Sequence, residues 1–418
     1  MTPMRPTTRP QAPWRRAVAS LPLADLAFYA AVVVVYGLAA AMATRTFHLA
    51  PDRMMVLADR MAAGHLDSPT FAGSVDSVTL AGRVYVAVGL LQVLPYLPFV
   101  PLPALQGAAP YLASLAFGIP AAWLALPLAR RYGATGAAAH WVAVLGAFGT
   151  LLLYVSVLGN FYYLAHAEAT LFLELALLEW TPRRRPLVIG ALLGLAFLAR
   201  PTTLLAAAPL GLVLLRDRLP AVSRAQVRRR LGGLVRLAVE LGAPVAVAGI
   251  AYATFNWARF GSPWQNGYGI SHLATPDLEA RRALGLFALA QVPENIRLAL
   301  LTPFTVRARA PFLLPDPHGL SMLLVSPGLL LAGWAGWRDA TARVLWACAA
   351  LVAVPVFLYY GGGYVQYGFR YSLDFTPFLV ALVAMGSRRW RGLPERLLIA
   401  ASVLSVGYGV LWRGLPIR

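Results

Sequence analysis

Residues 45–85 read RTFHLAPDRMMVLADRMAAGHLDSPTFAGSVDSVTLAGRVY, a polar stretch that separates the first long apolar run of the chain from the second. The stretch holds four aspartates, two histidines and four arginines. The aspartates are Asp52, Asp59, Asp67 and Asp76. In its first half the apolar residues recur at helical spacing with charged residues on the opposite face, which predicts an amphipathic helix that begins near Asp52.

Composition places this stretch beside a membrane. Of the 418 residues, 59% are hydrophobic and 13% are charged, and the mean hydropathy is +0.64. The apolar runs are too many and too long for a soluble core, whereas spans of about 20 residues fit a lipid bilayer. We therefore predict an all-α fold, a polytopic transmembrane helical bundle of about 11 spans plus a proline-broken segment. The amphipathic helix is expected to lie in the membrane interface, with Asp52 at the water boundary.

The formal net charge of +19 comes mainly from short arginine clusters between the apolar runs. Positive residues in such connections fix the orientation of membrane spans, so the charge does not indicate a nucleic-acid partner. The single cysteine, Cys348, lies inside an apolar run and has no second cysteine with which to form a disulfide within the chain.

The expected organisation is a short tail followed by one membrane domain. Residues 1–24 form a basic cytoplasmic tail, and residues 25–418 form the transmembrane domain. Arg15 and Arg16 precede the first span, so the positive-inside rule places the N-terminus in the cytoplasm and residues 45–85 on the outer side.

The second apolar run contains four prolines in a short space. They are Pro95, Pro98, Pro101 and Pro103. Proline breaks an α-helix, so this run is either a distorted span or a re-entrant segment. Re-entrance is favoured, because it leaves the later arginine-bearing connections on the cytoplasmic side. Later spans are expected at 110–129, 139–158, 163–180, 186–199, 202–215, 236–255, 322–337, 343–360, 373–387 and 396–412.

This topology leaves four polar segments on the outer side. They are residues 45–85, 159–169, 256–319 and 359–374. Nearly all ionisable residues that topology does not explain lie in these segments, and polar groups gathered on one face of a membrane bundle indicate a functional site. No internal repeat is visible, which argues against a transporter built from inverted repeats.

Three acidic residues of the outer segments are candidates for catalysis. Asp52 is suited to take a proton from a sugar hydroxyl or to hold a divalent metal, but it also fits the N-cap of the amphipathic helix. Asp76, in the hairpin-like sequence SVDSVTLAGRVYV, is a second candidate. Glu168 and His166 open a later span, where a buried charge is either paired with a neighbour or used in function. For each of these residues, a catalytic role and a purely structural role both stay open.

Arginines close to spans on the outer side are candidates for holding a phosphate group. Arginine offers a planar fork of donors and keeps its charge when partly buried. The candidate binding residues are Tyr85, His166, Arg200, Arg259, Tyr268, Arg370, Tyr371 and Asp374. An aromatic belt with snorkelling arginines is the alternative explanation. The glycines of residues 361–363 lack the strand and helix that a phosphate cradle needs.

The order of these motifs resembles the GT-C superfamily of integral-membrane glycosyltransferases, in particular bacterial members similar to protein mannosyltransferases and aminoarabinose transferases. The resembling pieces are PDRMMVLADRMAAGHL (51–66), GRVYVAVGLLQVLPYLP (82–98), FYYLAHAEATLFL (161–173), GALLGLAFLARPTTLL (190–205), FNWARFGSPWQNGY (255–268) and YGFRYSLDFTPFL (367–379). The resemblance implies a catalytic or metal-binding acidic residue at Asp52 and a donor that carries its sugar on a polyprenyl phosphate. It further implies a second-loop acidic position at Glu168 and a donor-phosphate arginine at Arg370. Where the family often has an acidic pair, this chain has Arg53 beside Asp52.

We therefore expect a membrane glycosyltransferase that moves a sugar from a polyprenyl-phosphate-linked donor to an acceptor at the outer face of the cytoplasmic membrane. Its expected catalytic residues are Asp52, Asp76 and Glu168. A divalent metal is an open alternative, and the lipid bilayer and the lipid-linked donor are the expected partners. Two other hypotheses stay open: a transporter or flippase that uses Gln92 and Glu174 near mid-membrane, and a non-catalytic scaffold of the same fold.

Overall fold

The computed structural model describes residues 22–46, 52–217, 227–310 and 312–412. Almost all of the predicted cytoplasmic tail lies outside these ranges. The α-helices are α1 (Leu23–Thr46), α2 (Arg53–Ala62), α3 (Pro103–Gln106), α4 (Ala109–Arg131), α5 (Gly136–Phe148), α6 (Leu151–Val157), α7 (Phe161–Trp180), α8 (Pro186–Ala199), α9 (Ala207–Asp217), α10 (Val227–Phe260), α11 (Pro276–Ala283), α12 (Val292–Ile296), α13 (Met322–Val325), α14 (Ala340–Leu358), α15 (Thr376–Gly386) and α16 (Leu393–Trp412).

Shorter elements connect these helices. The 3-10 helices are Pro69–Phe71, Leu94–Phe99, Pro201–Ala206, Leu289–Gln291, Pro327–Ala335, Arg370–Asp374 and Ser387–Arg389, and one π-helix covers Arg297–Leu301. Two small antiparallel hairpins complete the fold, β1 (Ser77–Leu80) with β2 (Arg83–Val86), and β3 (Thr305–Val306) with β4 (Leu313–Leu314). The chain is thus a helical bundle, as its apolar runs predict.

Six of the described helices are long and apolar enough to cross a membrane, namely α1, α4, α7, α10, α14 and α16. The helices α5 and α6 form a seventh span if the 43° bend between them is counted within one crossing. The expected number of about 11 counted every apolar run as a separate span. Several of those runs fold as shorter or broken helices instead, because proline opens a new 3-10 segment at Pro201 and Pro327. The prediction of a polytopic helical membrane protein is confirmed.

The amphipathic helix predicted after the first span is α2. Asp52 is its N-cap, and the carboxylate Oδ1 accepts a hydrogen bond of 2.9 Å from the backbone N–H of Met54. The helix buries Met54, Met55 and Leu57 against a separate apolar cluster that includes Tyr96. The N-cap interpretation of Asp52 is therefore confirmed, since its side chain satisfies a backbone donor that the helix leaves free.

The hairpin predicted around Asp76 is β1–β2, with Ser77 opposite Val86 and Leu80 opposite Arg83. Gly82 occupies its turn at a φ of +74°, a backbone region that glycine enters without steric cost. After the hairpin, the proline-rich run forms the 3-10 helix Leu94–Phe99 and the short α3, so the expected break in the helix is present.

Glycines let helices approach closely in the bundle. A Cβ atom added to Gly190 of α8 would lie 2.2 Å from the backbone oxygen of Leu241 in α10. A Cβ atom on Gly118 of α4 would lie 2.1 Å from the hydroxyl of Ser156 in α6. Small residues at helix contacts are typical of membrane bundles, where close van der Waals packing replaces the hydrophobic effect.

Candidate active site

A cavity of about 650 Å³ lies where the four predicted polar segments meet. The polar and aromatic residues that line it are Arg53, Asp76, Gln92, Asn160, Tyr162, Tyr163, His166, Arg200, Thr202, Tyr252, Asn256, Asn266, Tyr268, Phe287, Tyr359, Tyr360, Tyr364, Arg370 and Tyr371. These residues are far apart in sequence, so the fold brings them together at one end of the bundle. A concave site with a few polar groups among aromatic side chains is typical of ligand binding.

Asp76 is the carboxylate that lines the cavity. Its backbone N–H donates to the oxygen of His272 at 2.7 Å, and its backbone oxygen accepts from the N–H of Ala87 at 2.8 Å. These bonds fix it at the foot of the β1–β2 hairpin with a φ of +61°. The hydroxyl of Tyr162 donates to Oδ2 at 2.6 Å. Asp76 is therefore held rigidly by its backbone and by one side-chain contact.

The environment of Asp76 raises its pKa above the ordinary value for aspartate. Burial is the main cause, because the charged carboxylate loses hydration. The hydrogen bond from Tyr162 and the charges of Arg53 and Arg370 act in the opposite direction and limit the rise. A carboxylate with a raised pKa is better matched to accepting a proton near neutral pH.

Arg370 lines the cavity and has no carboxylate partner within the described residues. Its NH1 donates to the amide oxygen of Gln366 at 2.7 Å, and its NH2 lies 3.4 Å from the hydroxyl of Tyr371. Its Nε has no hydrogen-bond partner in the described part of the chain. Arg53 also lines the cavity, where it donates to the backbone oxygen of Val75.

Arg200 has a full ionic partner. Its Nε and NH2 donate to both oxygens of Asp374 at 2.9–3.1 Å. The same carboxylate accepts from the hydroxyl of Thr202 at 2.6 Å and lies 3.1 Å from Nδ1 of His166. Because these groups saturate the buried carboxylate of Asp374, it orients Arg200 and His166; a contact of Asp374 with substrate stays a prediction.

Tyr371 separates the two arginines. The guanidinium carbons of Arg200 and Arg370 each lie 4.9 Å from the centre of its ring. Such contacts attract each cation to the ring while holding the two like charges apart. His166 packs its ring edge-on against Tyr371 at 5.6 Å. Asp374 lies four residues after Arg370 in the sequence, but the structure pairs it with Arg200.

Two of the expected catalytic residues lie away from the cavity surface. Asp52 caps α2 beside Tyr96, and burial raises its pKa to about 6, against the opposing effects of the Met54 N–H and the Tyr96 hydroxyl. Glu168 is fully buried in α7, and neither of its carboxylate oxygens has a hydrogen-bond partner among the described residues. A catalytic role for either residue stays a prediction.

Arg259 also lies outside the lining of the cavity. Its guanidinium donates to the backbone oxygens of Val86 and Val88 at 2.9 and 3.0 Å and to Asn256 at 3.2 Å. It stacks on the Phe255 ring at 3.7 Å. These contacts tie the end of α10 to the end of β2, the second strand of the hairpin that follows Asp76.

Of the three expected tyrosines, Tyr371 lies between the two arginines, and the other two differ in position. Tyr85 packs its ring on Phe260 at 5.7 Å and does not line the cavity, whereas Tyr268 does. Burial raises the pKa of the Tyr268 hydroxyl, so it stays protonated and able to donate a hydrogen bond.

Three lining or supporting residues were not among the site residues predicted from the sequence. Tyr162 holds Asp76, and Gln366 holds Arg370. The third is Arg53, which lines the cavity and was noted in the sequence only as a neighbour of Asp52. The sequence offers one indication of the role of Gln366, because it lies four residues before Arg370. Within the described ranges, no three His, Cys, Asp or Glu side chains are grouped so that they could hold a metal ion.

Comparisons with known proteins were made by sequence and by structure. No protein-family model matches the chain. No curated protein matches it by sequence. Among solved structures, the chain is similar to ArnT from Cupriavidus metallidurans bound to undecaprenyl phosphate, at 15% identity and a TM-score of 0.48. The match covers 89% of this chain and 62% of ArnT, so this chain spans less than two thirds of that protein. A likeness of this size concerns the arrangement of helices and says nothing about activity.

Proposed function

We propose that the protein is a membrane glycosyltransferase that takes its sugar from a polyprenyl-phosphate-linked donor. One observation carries this proposal: the carboxylate of Asp76 and the guanidinium of Arg370, which has no carboxylate partner in the described chain, line the same cavity at the end of a membrane bundle. A base and a cation in one cavity match a reaction in which a hydroxyl attacks a sugar and a phosphate leaves.

The charge of the cavity supports an anionic ligand. Among the described residues, three arginines line it, Arg53, Arg200 and Arg370, against one carboxylate, that of Asp76. Asp374 neutralises Arg200 from behind the cavity wall, which leaves one positive charge in excess. Arginine binds phosphate through parallel N–H donors, and this interaction gains strength where water is excluded.

The proposed reaction assigns a role to each group. Asp76 removes the proton from the acceptor hydroxyl as its oxygen attacks the anomeric carbon of the sugar. The bond between that carbon and the phosphate oxygen breaks, and its electron pair leaves with the polyprenyl phosphate. Arg370 and Arg53 stabilise the additional negative charge on the leaving phosphate. Attack opposite the leaving group inverts the configuration at the anomeric carbon.

We further propose that the cavity faces the outer side of the membrane. The cavity lies at the start of α7, whereas α4 and α7 end near the arginines of residues 130–131 and 183–185. Arginine-rich connections are typical of the cytoplasmic side. The opposite end of the bundle, with Asp76 and Arg370, would then meet an acceptor outside the cytoplasm.

The test is sugar transfer in proteoliposomes that contain polyprenyl-phosphate-linked sugars. We expect Asp76→Asn to lower kcat by about 100-fold or more, the range that general base catalysis supplies, without loss of donor binding. Asp67→Asn is the matched control, because Asp67 pairs with Arg60 and does not line the cavity. Transfer by Asp76→Asn at the wild-type rate would refute the assignment. Bound lipid with no transfer by the wild type would favour a scaffold, and movement of lipid without a covalent product would favour a flippase.

A further inference from the structure

The two arginines that sandwich Tyr371 are held by different kinds of partner. Arg200 is bound by the carboxylate of Asp374, which cancels its charge. Arg370 is bound at 2.7 Å by the side-chain oxygen of Gln366, a neutral amide. Both arginines line the cavity, so the choice of partner decides which of them presents an uncompensated charge to a ligand.

The amide of Gln366 is fixed by its own contacts. Its Nε2 donates to the backbone oxygens of His318 at 2.6 Å and Gly362 at 3.0 Å. The reverse orientation would place the amide oxygen against two carbonyl oxygens and the NH₂ group against the guanidinium of Arg370. No hydrogen bond could form in either place, because acceptors would face acceptors and donors would face donors. The network therefore determines that Oε1 faces Arg370.

Glycines make the space for this amide. A Cβ atom on Gly363 would lie 2.2 Å from Nε2 of Gln366, and one on Gly319 would lie 3.0 Å from it. Both glycines have positive φ values, +94° and +104°, which other residues adopt only with strain. The run of glycines at 361–363 lacks the strand and helix of a phosphate cradle. Its Gly363 is explained instead by the space that the amide of Gln366 needs.

We propose that Gln366 is the positioning residue that holds Arg370 in place while leaving its positive charge free for an anionic headgroup. An amide oxygen accepts a hydrogen bond from the guanidinium without carrying a net charge, whereas a carboxylate at this position would form an ion pair and compete with the ligand. This inference rests on the proposed function, because it takes the ligand of Arg370 to be an anion.

The test compares two lipids with the same tail, undecaprenyl phosphate and undecaprenol, bound to the full chain in nanodiscs and measured by native mass spectrometry. The readout is the preference, defined as the ratio of the two affinities. We expect Gln366→Glu to lower the preference by about tenfold or more, which corresponds to about 1.4 kcal/mol. Both variants lose the two hydrogen bonds that Nε2 of Gln366 donates. Gln366→Met adds no charge, so its preference should fall only about threefold.

Gln291→Glu is the matched control. Gln291 also accepts a hydrogen bond from an arginine, Arg281, at 3.1 Å, but neither residue lines the cavity. Its variant should keep the wild-type preference. The inference is overturned if Gln366→Glu keeps that preference, or if Gln366→Met loses as much as Gln366→Glu, since the charge would then not be the cause. A wild type that binds both lipids equally overturns the inference and the proposed function together.

Discussion

Arg259 should contribute strongly to stability although it has no acidic partner within the described chain. Replacement by methionine keeps much of the side-chain length but removes the donors to the backbone oxygens of Val86 and Val88. The oxygen of Val86 still accepts from the backbone N–H of Val88 at 3.0 Å, whereas the oxygen of Val88 is left without a donor among the described residues. One buried acceptor left without a partner costs about 1–3 kcal/mol in the free energy of unfolding. The loss should appear as a fall in Tm of the detergent-solubilised protein.

A suitable control is Arg60→Met. Arg60 is partly exposed and pairs with Asp67 at 2.6 Å, and an exposed ion pair of this kind contributes only about 0–1 kcal/mol. The reasoning is refuted if Arg259→Met and Arg60→Met lower Tm equally. Arg259→Lys should lie between the wild type and Arg259→Met, because a lysine supplies donors but cannot place them in the fork that reaches two carbonyls at once.

Three further predictions concern stability. The folded-state pKa of Asp52, about 6, exceeds its ordinary value of 3.8, so its ionisation disfavours the fold as pH rises between these values. Asp52→Asn keeps the N-cap and should therefore raise Tm at pH 8, by an effect of about 3 kcal/mol, but at pH 4 the effect should be below about 1 kcal/mol. A gain that is equal at both pH values would contradict this. Asp374→Asn breaks the buried pair with Arg200 and should cost about 3–5 kcal/mol in thermal unfolding, and a neutral outcome would show that the pair is not desolvated. Gly190→Ala should lower Tm because its Cβ meets the backbone of α10. Gly242→Ala, with open space at that position, should not lower it. Equal Tm values for both variants would count against the close contact of α8 and α10.

Local features of the fold were predictable from the sequence because their causes are local. An aspartate before an amphipathic run predicts the start of α2, a glycine between alternating residues predicts the β1–β2 hairpin, and clustered prolines predict the break after residue 93. The number of continuous spans was less predictable. Hydropathy marks where a chain avoids water, but it does not tell a straight helix from a 3-10 segment that begins at Pro201 or Pro327.

The candidate site was predictable as a region and not as a set of contacts. Topology alone brings the four polar segments to one end, but Asp374 and its partner Arg200 are 174 residues apart. They meet because the 3-10 helix Pro201–Ala206 packs against α14 and the 3-10 helix Arg370–Asp374 packs against α7. Likewise, spacing cannot tell that the Asp52 side chain turns toward Met54 and Tyr96, whereas Asp76 reaches the cavity.

The position of α10 has a consequence for how a long hydrocarbon chain reaches the cavity. This helix packs mainly against α8, and most of its apolar surface faces away from the protein. It also supplies Tyr252 and Asn256 to the cavity wall. On that side α10 lies between the cavity and the outside of the bundle, so the prenyl tail of the proposed donor would remain among the acyl chains while its polar head enters the cavity.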